Sequence, residues 1–171
     1  LSPDTNLIGP AGRGGGPGEK VVVQRRWVHP IDNSVPLDQA ALIEPLSVGY
    51  HAVERSGAKT GDVALVGGAG PIGLLTAAVL KAQGVTVAIS ELSPLRREKA
   101  LEAGVADYAL DPSQVDVAEE VRKITDGKGA DVAFECSSVQ VVLDTLMDAL
   151  RPTGVLVVVS IWGKRSDFDI H

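Results

Sequence analysis

Gly68-Ala69-Gly70-Pro71-Ile72-Gly73 has the spacing G-x-G-x-x-G, and its chemistry is that of the backbone. Gly68 permits a tight turn, Gly70 leaves no side chain in the way of a pyrophosphate, and Gly73 lets a helix approach a strand. A helix opening at Pro71 and Ile72 then offers free N–H groups and partial positive charge to phosphates. In a chain with 19 glycines the string alone is weak. Its context is specific: the apolar run 62–66 precedes it, the helical stretch 72–83 follows, and Glu91, 23 residues after Gly68, closes the next strand-like run. A carboxylate there accepts hydrogen bonds from both hydroxyls of an adenosine ribose and repels a 2′-phosphate, which favours NAD over NADP. Arg96 pulls the other way, since a guanidinium near this pocket neutralises a 2′-phosphate; Leu92, directly after the acid, better suits an adenine face. The plainer readings are a glycine turn that only packs and a solvated acid that caps the next helix.

The elements that must position these residues follow a regular plan. Residues 62–66, 85–90, 107–110, 131–134 and 155–161 read as strands, and residues 72–83, 95–103, 117–125 and 139–150 as helices. Gly84 and Gly104 stop the first two helices, and Ser93-Pro94 reads as an N-cap followed by proline at the first helical position. Buried-type strands alternating with helices predict an α/β domain with a doubly wound parallel sheet. Five strands follow Gly61 where such a domain usually has six, so the last half-unit is expected to be missing beyond His171. Earlier, residues 35–57 have helical spacing interrupted by Pro45, predicting two short helices that meet near Glu44-Pro45. The first twenty residues carry eight glycines or prolines between Gly9 and Gly18 and form no core element, while Val21-Val22-Val23 is strand-like. Leu1 reads as the start of a chain entered partway through a larger protein.

Composition narrows the partners. With 171 residues, 44% apolar and 22% charged, the chain suits one globular domain that buries roughly 70% of its unfolded surface. A formal charge of −6 disfavours nucleic acid. No apolar stretch approaches the ~20 residues of a spanning helix and no signal-peptide pattern opens the chain, so no membrane partner is expected. The single Cys136 forms no internal disulfide and is compatible with a reducing cytosol, hence a cytoplasmic location. An unpaired sheet edge along residues 155–161 would invite a second copy.

The blocks ALIEPLSVGYHAV, KTGDVALVGGAGPIGLLTAAVLKAQG and ECSSV closely resemble the medium-chain zinc alcohol dehydrogenases, particularly the sorbitol and 2,3-butanediol dehydrogenase branch, over nearly the whole chain. The resemblance implies a Rossmann cofactor domain over residues 46–171, truncated at its C-terminus. Residues 1–45 would be the tail of a GroES-like catalytic domain, with GGGPGEKVVV standing for the family's G-G-x-x-E strand. It places Glu44 beside the catalytic zinc, as a ligand or bonded to the zinc water, and Val48 near the nicotinamide. Arg96 touches the adenosine ribose, and Cys136 with Ser137 lines the adenosine side after the fourth strand. Ser160, Ile161 and Trp162 end the fifth strand and supply the backbone that holds the carboxamide. With Gly68, Gly70, Pro71, Ile72, Gly73 and Glu91 these make the expected cofactor site. The implied reaction is hydride transfer between a secondary alcohol or polyol and NAD, in a homo-oligomer, dimer or tetramer, with zinc acting as a Lewis acid on the alcohol.

The departures matter equally. The family's catalytic Cys and His-Glu ligands fall upstream of Leu1, so the chain by itself is expected to be inactive and to hold no stoichiometric zinc. His29, His51 and Cys136 read as surface or packing residues. Ser2 stands where many relatives carry the last Cys of a structural zinc loop. Three rivals are weighed. A zinc-free quinone or enoyl reductase of the same superfamily has no metal to need Glu44. A non-catalytic nucleotide-binding domain needs only the fingerprint and Glu91. A methyltransferase usually carries G-x-G-x-G, which the spacing to Gly73 disfavours.

Overall fold

The computed structural model describes residues 20–163 and 165–168; Ser2 and the glycine- and proline-rich head through residue 19, with most of the GGGPGEKVVV block, lie outside them. The chain divides into two compact units, one ending at Ala40 and one beginning at Ala41. In the first, the strand expected at Val21-Val22-Val23 does not form, and Val22 is 99% exposed. A strand needs a ladder partner for its N–H and C=O groups, and no described residue of this unit supplies one. Its described residues contain one 3-10 turn, Arg25–Trp27, and one short helix, α1, Leu37–Ala40.

The second unit is built on five strands, β1 Val63–Gly67, β2 Thr86–Ser90, β3 Tyr108–Leu110, β4 Ala130–Glu135 and β5 Leu150–Val158. They form one all-parallel sheet in the order β3-β2-β1-β4-β5. Five helices run with them: α2 Ile43–Ser56, α3 Pro71–Ala82, α4 Pro94–Glu102, α5 Val117–Ile124 and α6 Gln140–Ala149. Successive strand residues point to opposite faces, so each apolar run feeds two cores. Ala64, Val66, Val87, Ile89, Val132 and Phe134 pack with Ala52 and Val53 of α2, Ala77 and Leu80 of α3 and Ala100 of α4. Leu65, Ala88 and Ala133 pack with Val117 and Val121 of α5 and Leu146 and Ala149 of α6. Helices thus cover both faces, as the continuous apolar runs require. Register puts Gly67 opposite both Ser90 and Glu135, and Glu135 opposite Val158. The segments after β1, β2, β4 and β5 therefore leave the sheet along one edge.

Two further expectations from sequence are corrected. The two helices predicted to meet at Glu44-Pro45 are instead α1 and α2, and Pro45 lies inside the first turn of α2. The N–H that proline lacks would have no intrahelical partner in that turn, so the helix passes through it. The strand predicted over 155–161 instead starts at Leu150 and stops at Val158. Ala130 pairs with Leu150 and Val132 with Val155, so the intervening residues loop out, with Thr153 at φ 65 and Arg151 Nε 2.7 Å from Asp131 Oδ1. The strand stops because β4 ends at Glu135, opposite Val158. Ser160, Ile161 and Trp162 consequently lie beyond β5, not at its end.

Helix α2 is seated by a close approach of backbones. A Cβ added to buried Gly49 would stand 2.9 Å from the Thr76 amide nitrogen of α3. Replacing Gly49 by valine is expected to push the two helices apart and to destabilise the chain by about 1–3 kcal/mol, read as a lower denaturant midpoint at unchanged slope. An unchanged midpoint would show that this crossing tolerates a side chain.

Candidate functional site

The glycines of the β1–α3 loop have different tasks. Gly68 sits at φ +100, a region L side chains rarely adopt, and its N–H donates to Ser90 O at 2.8 Å. A Cβ on Gly73 would lie 2.0 Å from the Gly68 carbonyl oxygen, so only glycine lets the first turn of α3 settle on the loop. Gly70 differs from both. Its φ of −73 and ψ of 179 are open to any residue, and a Cβ there would meet nothing within 4 Å. The bare backbone at Gly70 answers no demand of the fold and leaves space in front of the helix. Helix α3 begins at Pro71, followed by Ile72 and Gly73, with no side chain capping its N-terminus. Its first-turn N–H groups and dipole face that space.

Glu91 follows the last residue of β2. Its Oε2 accepts from the Ala69 N–H at 2.8 Å and its Oε1 from the Ser93 N–H at 2.9 Å. The carboxylate thereby braces the glycine loop against the start of α4, whose N-cap is Ser93 as expected. Two amides leave acceptor capacity on a group with about four lone-pair sites, enough for two ribose hydroxyls. Arg96 stands 3.7 Å from Oε2 with its side chain 58% exposed. Partial burial pushes the Glu91 carboxyl up, but the Ser93 and Ala69 amides and the Arg96 guanidinium outweigh it and hold the group below its ordinary value. Sequence reading passed over Arg97. It donates to the Glu91 and Leu92 carbonyls, both at 2.7 Å, and pairs with Asp111 at 2.7 Å, pinning the turn that carries Glu91.

Beyond β4, the Cys136 N–H donates to Gly67 O at 3.0 Å, and the Ser137 Cβ would lie 3.5 Å from a Cβ on Gly68. The β4–α6 segment therefore packs on the glycine loop. Burial, reinforced by the adjacent Glu135, pushes the Cys136 thiol up to about 12, so at neutral pH it is a packing group and not a nucleophile.

A second residue missed in the sequence is Glu135, the last of β4 and fully buried. Its Oε1 accepts from the Ser137 N–H at 2.7 Å, the Ser137 hydroxyl at 2.6 Å and the Ser138 N–H at 2.8 Å. Its Oε2 accepts from the Ser160 hydroxyl and from the Trp162 indole N–H at 3.0 Å. The Ser138 hydroxyl adds a bond to Ile161 O at 3.0 Å. Burial pushes the Glu135 carboxyl up, and the Ser137, Ser160 and Ser138 donors more than offset it, so the group lies below its ordinary value. The signal in the sequence was an acid ending an apolar strand and followed by Cys-Ser-Ser, because charged residues are almost never fully buried unless paired.

Glu44 and Val48 are both exposed in the first half of α2 and share no hydrogen bond with these groups; the Glu44 carbonyl accepts from the Ser47 hydroxyl at 2.6 Å. Among the described residues no three His, Cys, Asp or Glu side chains converge. These donors do not by themselves fit a zinc site, which takes at least three protein ligands. No described helix is long and apolar enough to cross a membrane.

A parallel sheet in this strand order, with a glycine loop between β1 and α3 and an acid after β2, defines an α/β domain of the Rossmann type. The profile of the family described as zinc-binding dehydrogenase matches residues 71–171, and the chain belongs to that family. It is 66% identical over 171 residues to the (R,R)-butanediol dehydrogenase of Neisseria gonorrhoeae, covering all of this chain and 48% of that protein. It is 39% identical over 146 residues to the sorbitol dehydrogenase of Halalkalibacterium halodurans, covering 84% of this chain and 42% of that one. The crystal structure of 2R,3R-butanediol dehydrogenase from Bacillus subtilis superposes with a TM-score of 0.75 at 42% identity, over 81% of this chain and 40% of that chain. The chain thus spans about half the length of the curated relatives it matches, and the medium-chain resemblance read from its motifs holds for the cofactor-domain portion.

Both Glu91 and Glu135 are held below their unfolded values, so each contributes stability that is complete above the unfolded carboxylate range and is lost as pH falls through the folded value. The denaturation midpoint is expected to be level above about pH 6 and to fall steadily below about pH 4.5. A midpoint unchanged down to pH 3 would contradict the assignment of both groups as ionised in the folded state.

Proposed function

We propose that the chain is the NAD-binding portion of a zinc-dependent dehydrogenase that transfers hydride between a secondary alcohol or polyol and NAD. The observation that carries the reading is Gly70: bare backbone at an uncapped helix start, in a conformation that does not itself require glycine, with open space where a side chain would stand. Likeness to butanediol and sorbitol dehydrogenases supports a small alcohol or polyol as substrate. Pro71, Ile72 and Gly73 turn the positive end of α3 toward the pyrophosphate, and Gly68 sets the turn that delivers them. Glu91, already fixed by two amides, receives the ribose hydroxyls, with Arg96 over its outer face. Cys136 and Ser137 close the adenosine side, Val48 faces the nicotinamide, and the backbone of Ser160, Ile161 and Trp162 receives its carboxamide. NAD, when bound, supplies the hydride acceptor. Glu44 is the chain's contribution to the zinc environment, whose other ligands belong to the catalytic domain, with residues 1–45 as that domain's tail and residues 46–171 as the cofactor domain. The protein works as a cytoplasmic homo-oligomer, dimer or tetramer.

Calorimetric titration of NAD into the chain and into its Gly70→Val variant tests this reading. The variant should keep its fold and its melting temperature within a few degrees while losing most of its NAD affinity; equal affinity would place the dinucleotide elsewhere. For cofactor choice, Glu91→Ala is expected to weaken NAD by roughly 5- to 150-fold, the equivalent of about 1–3 kcal/mol for hydrogen bonds to a charged group, and to narrow the preference over NADP. Tighter binding of NADP than of NAD by the unaltered chain would show that Arg96 governs the pocket.

A further inference from the structure

A buried carboxylate is tolerated only where hydrogen-bond donors surround it, so the groups that donate to it are tied to one another through it. Glu135 is fully buried and takes donors from two segments, residues 137–138 directly after β4 and residues 160–162 after β5. Beyond Val159, which packs against the core, the second segment has little apolar anchorage, since Ile161 is 86% exposed and the ladder with β4 has ended at Val158. Polar bonds hold it: the Val159 and Ser160 amides donate to the Glu135 carbonyl at 2.9 and 3.1 Å, and the Ser160 hydroxyl and Trp162 indole donate to its carboxylate. The glycine loop and Glu91 make no bond to that carboxylate. They are braced through Ala69, Ser93 and Arg97.

We infer that Glu135 is a positioning residue for the nicotinamide end of the dinucleotide, fixing residues 160–162 at the sheet edge, while Glu91 independently serves the adenosine end. This rests on the cofactor reading given above. Glu135 Oε1 holds Ser137 on the adenosine side while Oε2 serves only residues 160–162, and an isosteric change separates the two oxygens. In Glu135→Gln the remaining carbonyl still accepts from Ser137 and Ser138. The new NH2 faces the Ser160 hydroxyl, which can turn to accept, and the Trp162 N–H, which cannot. Only the Trp162 tie is lost.

The full chain is titrated with NAD and with ADP-ribose, which lacks the nicotinamide, for the unaltered protein, Glu135→Gln, Trp162→Phe and the double variant. Each single change should weaken NAD by about fivefold or more and leave ADP-ribose within about twofold, and the double variant should lose no more than either single. In a Trp27→Phe background, where Trp162 is the only tryptophan, Glu135→Gln should shift its emission to the red and make it easier to quench, with no ligand present. Unchanged emission, or equal losses for both ligands, or no loss of NAD in a chain that binds it, would each overturn the inference while leaving the cofactor reading intact. If Glu135→Gln does not fold, Trp162→Phe alone decides by the same ratio of NAD to ADP-ribose. An unaltered chain that binds neither ligand would overturn the cofactor reading, and this inference with it.

Discussion

The contact between Gly73 and the Gly68 carbonyl oxygen is the constraint on which the site depends. A Cβ at position 73 would stand 2.0 Å from that oxygen, far inside any tolerable separation, so the start of α3 can lie against the loop only as bare backbone. That approach aims the uncapped end of the helix over the edge of the sheet. Register does the rest, because Gly67, Ser90, Glu135 and Val158 stand level across four strands, so the loops that follow meet on one side. A parallel sheet of this kind opens a crevice where its strand order reverses, and ligands bind there. Here the reversal lies at β1, between β2 and β4.

Around that constraint the polar groups divide the work. Glu91 spends two lone pairs on the backbone and is thereby rigid before any ligand arrives, so little ordering entropy remains to be lost on binding. Glu135 spends its capacity on five donors and makes one unit of the segments following β4 and β5. Cys136, next to Glu135 and against the glycine loop, is kept protonated by burial and by Glu135. The site is thus preorganised by carboxylates and shaped by glycines.

Much of this was legible in the residues. Strands β1, β2 and β4 are short, largely apolar runs that follow closely on Gly61, Gly84 and Gly129, and their alternate apolar residues divide cleanly between the two cores. Ser93-Pro94 announced the start of α4 because capping chemistry is local. What misled was positional. Pro45 looks like a break, yet proline costs nothing in a first turn, where its missing N–H has no partner. Arg151, Pro152, Thr153 and Gly154 look like a turn ahead of a strand, yet β4 pairs on both sides of them and the strand starts at Leu150. Glu135 received no role from the sequence, because its position after an apolar strand does not show that donors 25 and 27 residues away will close over it.

The most direct measurement of the central claim is the backbone amide spectrum of the 15N-labelled chain recorded as NAD is added. The account predicts that the largest shifts fall on Ala69, Gly70, Ile72 and Gly73, with a second group at Glu91 and Ser137, and that the two cores of the sheet stay unmoved. Shifts confined to α5 and α6, or a spectrum unchanged at saturating NAD, would contradict it.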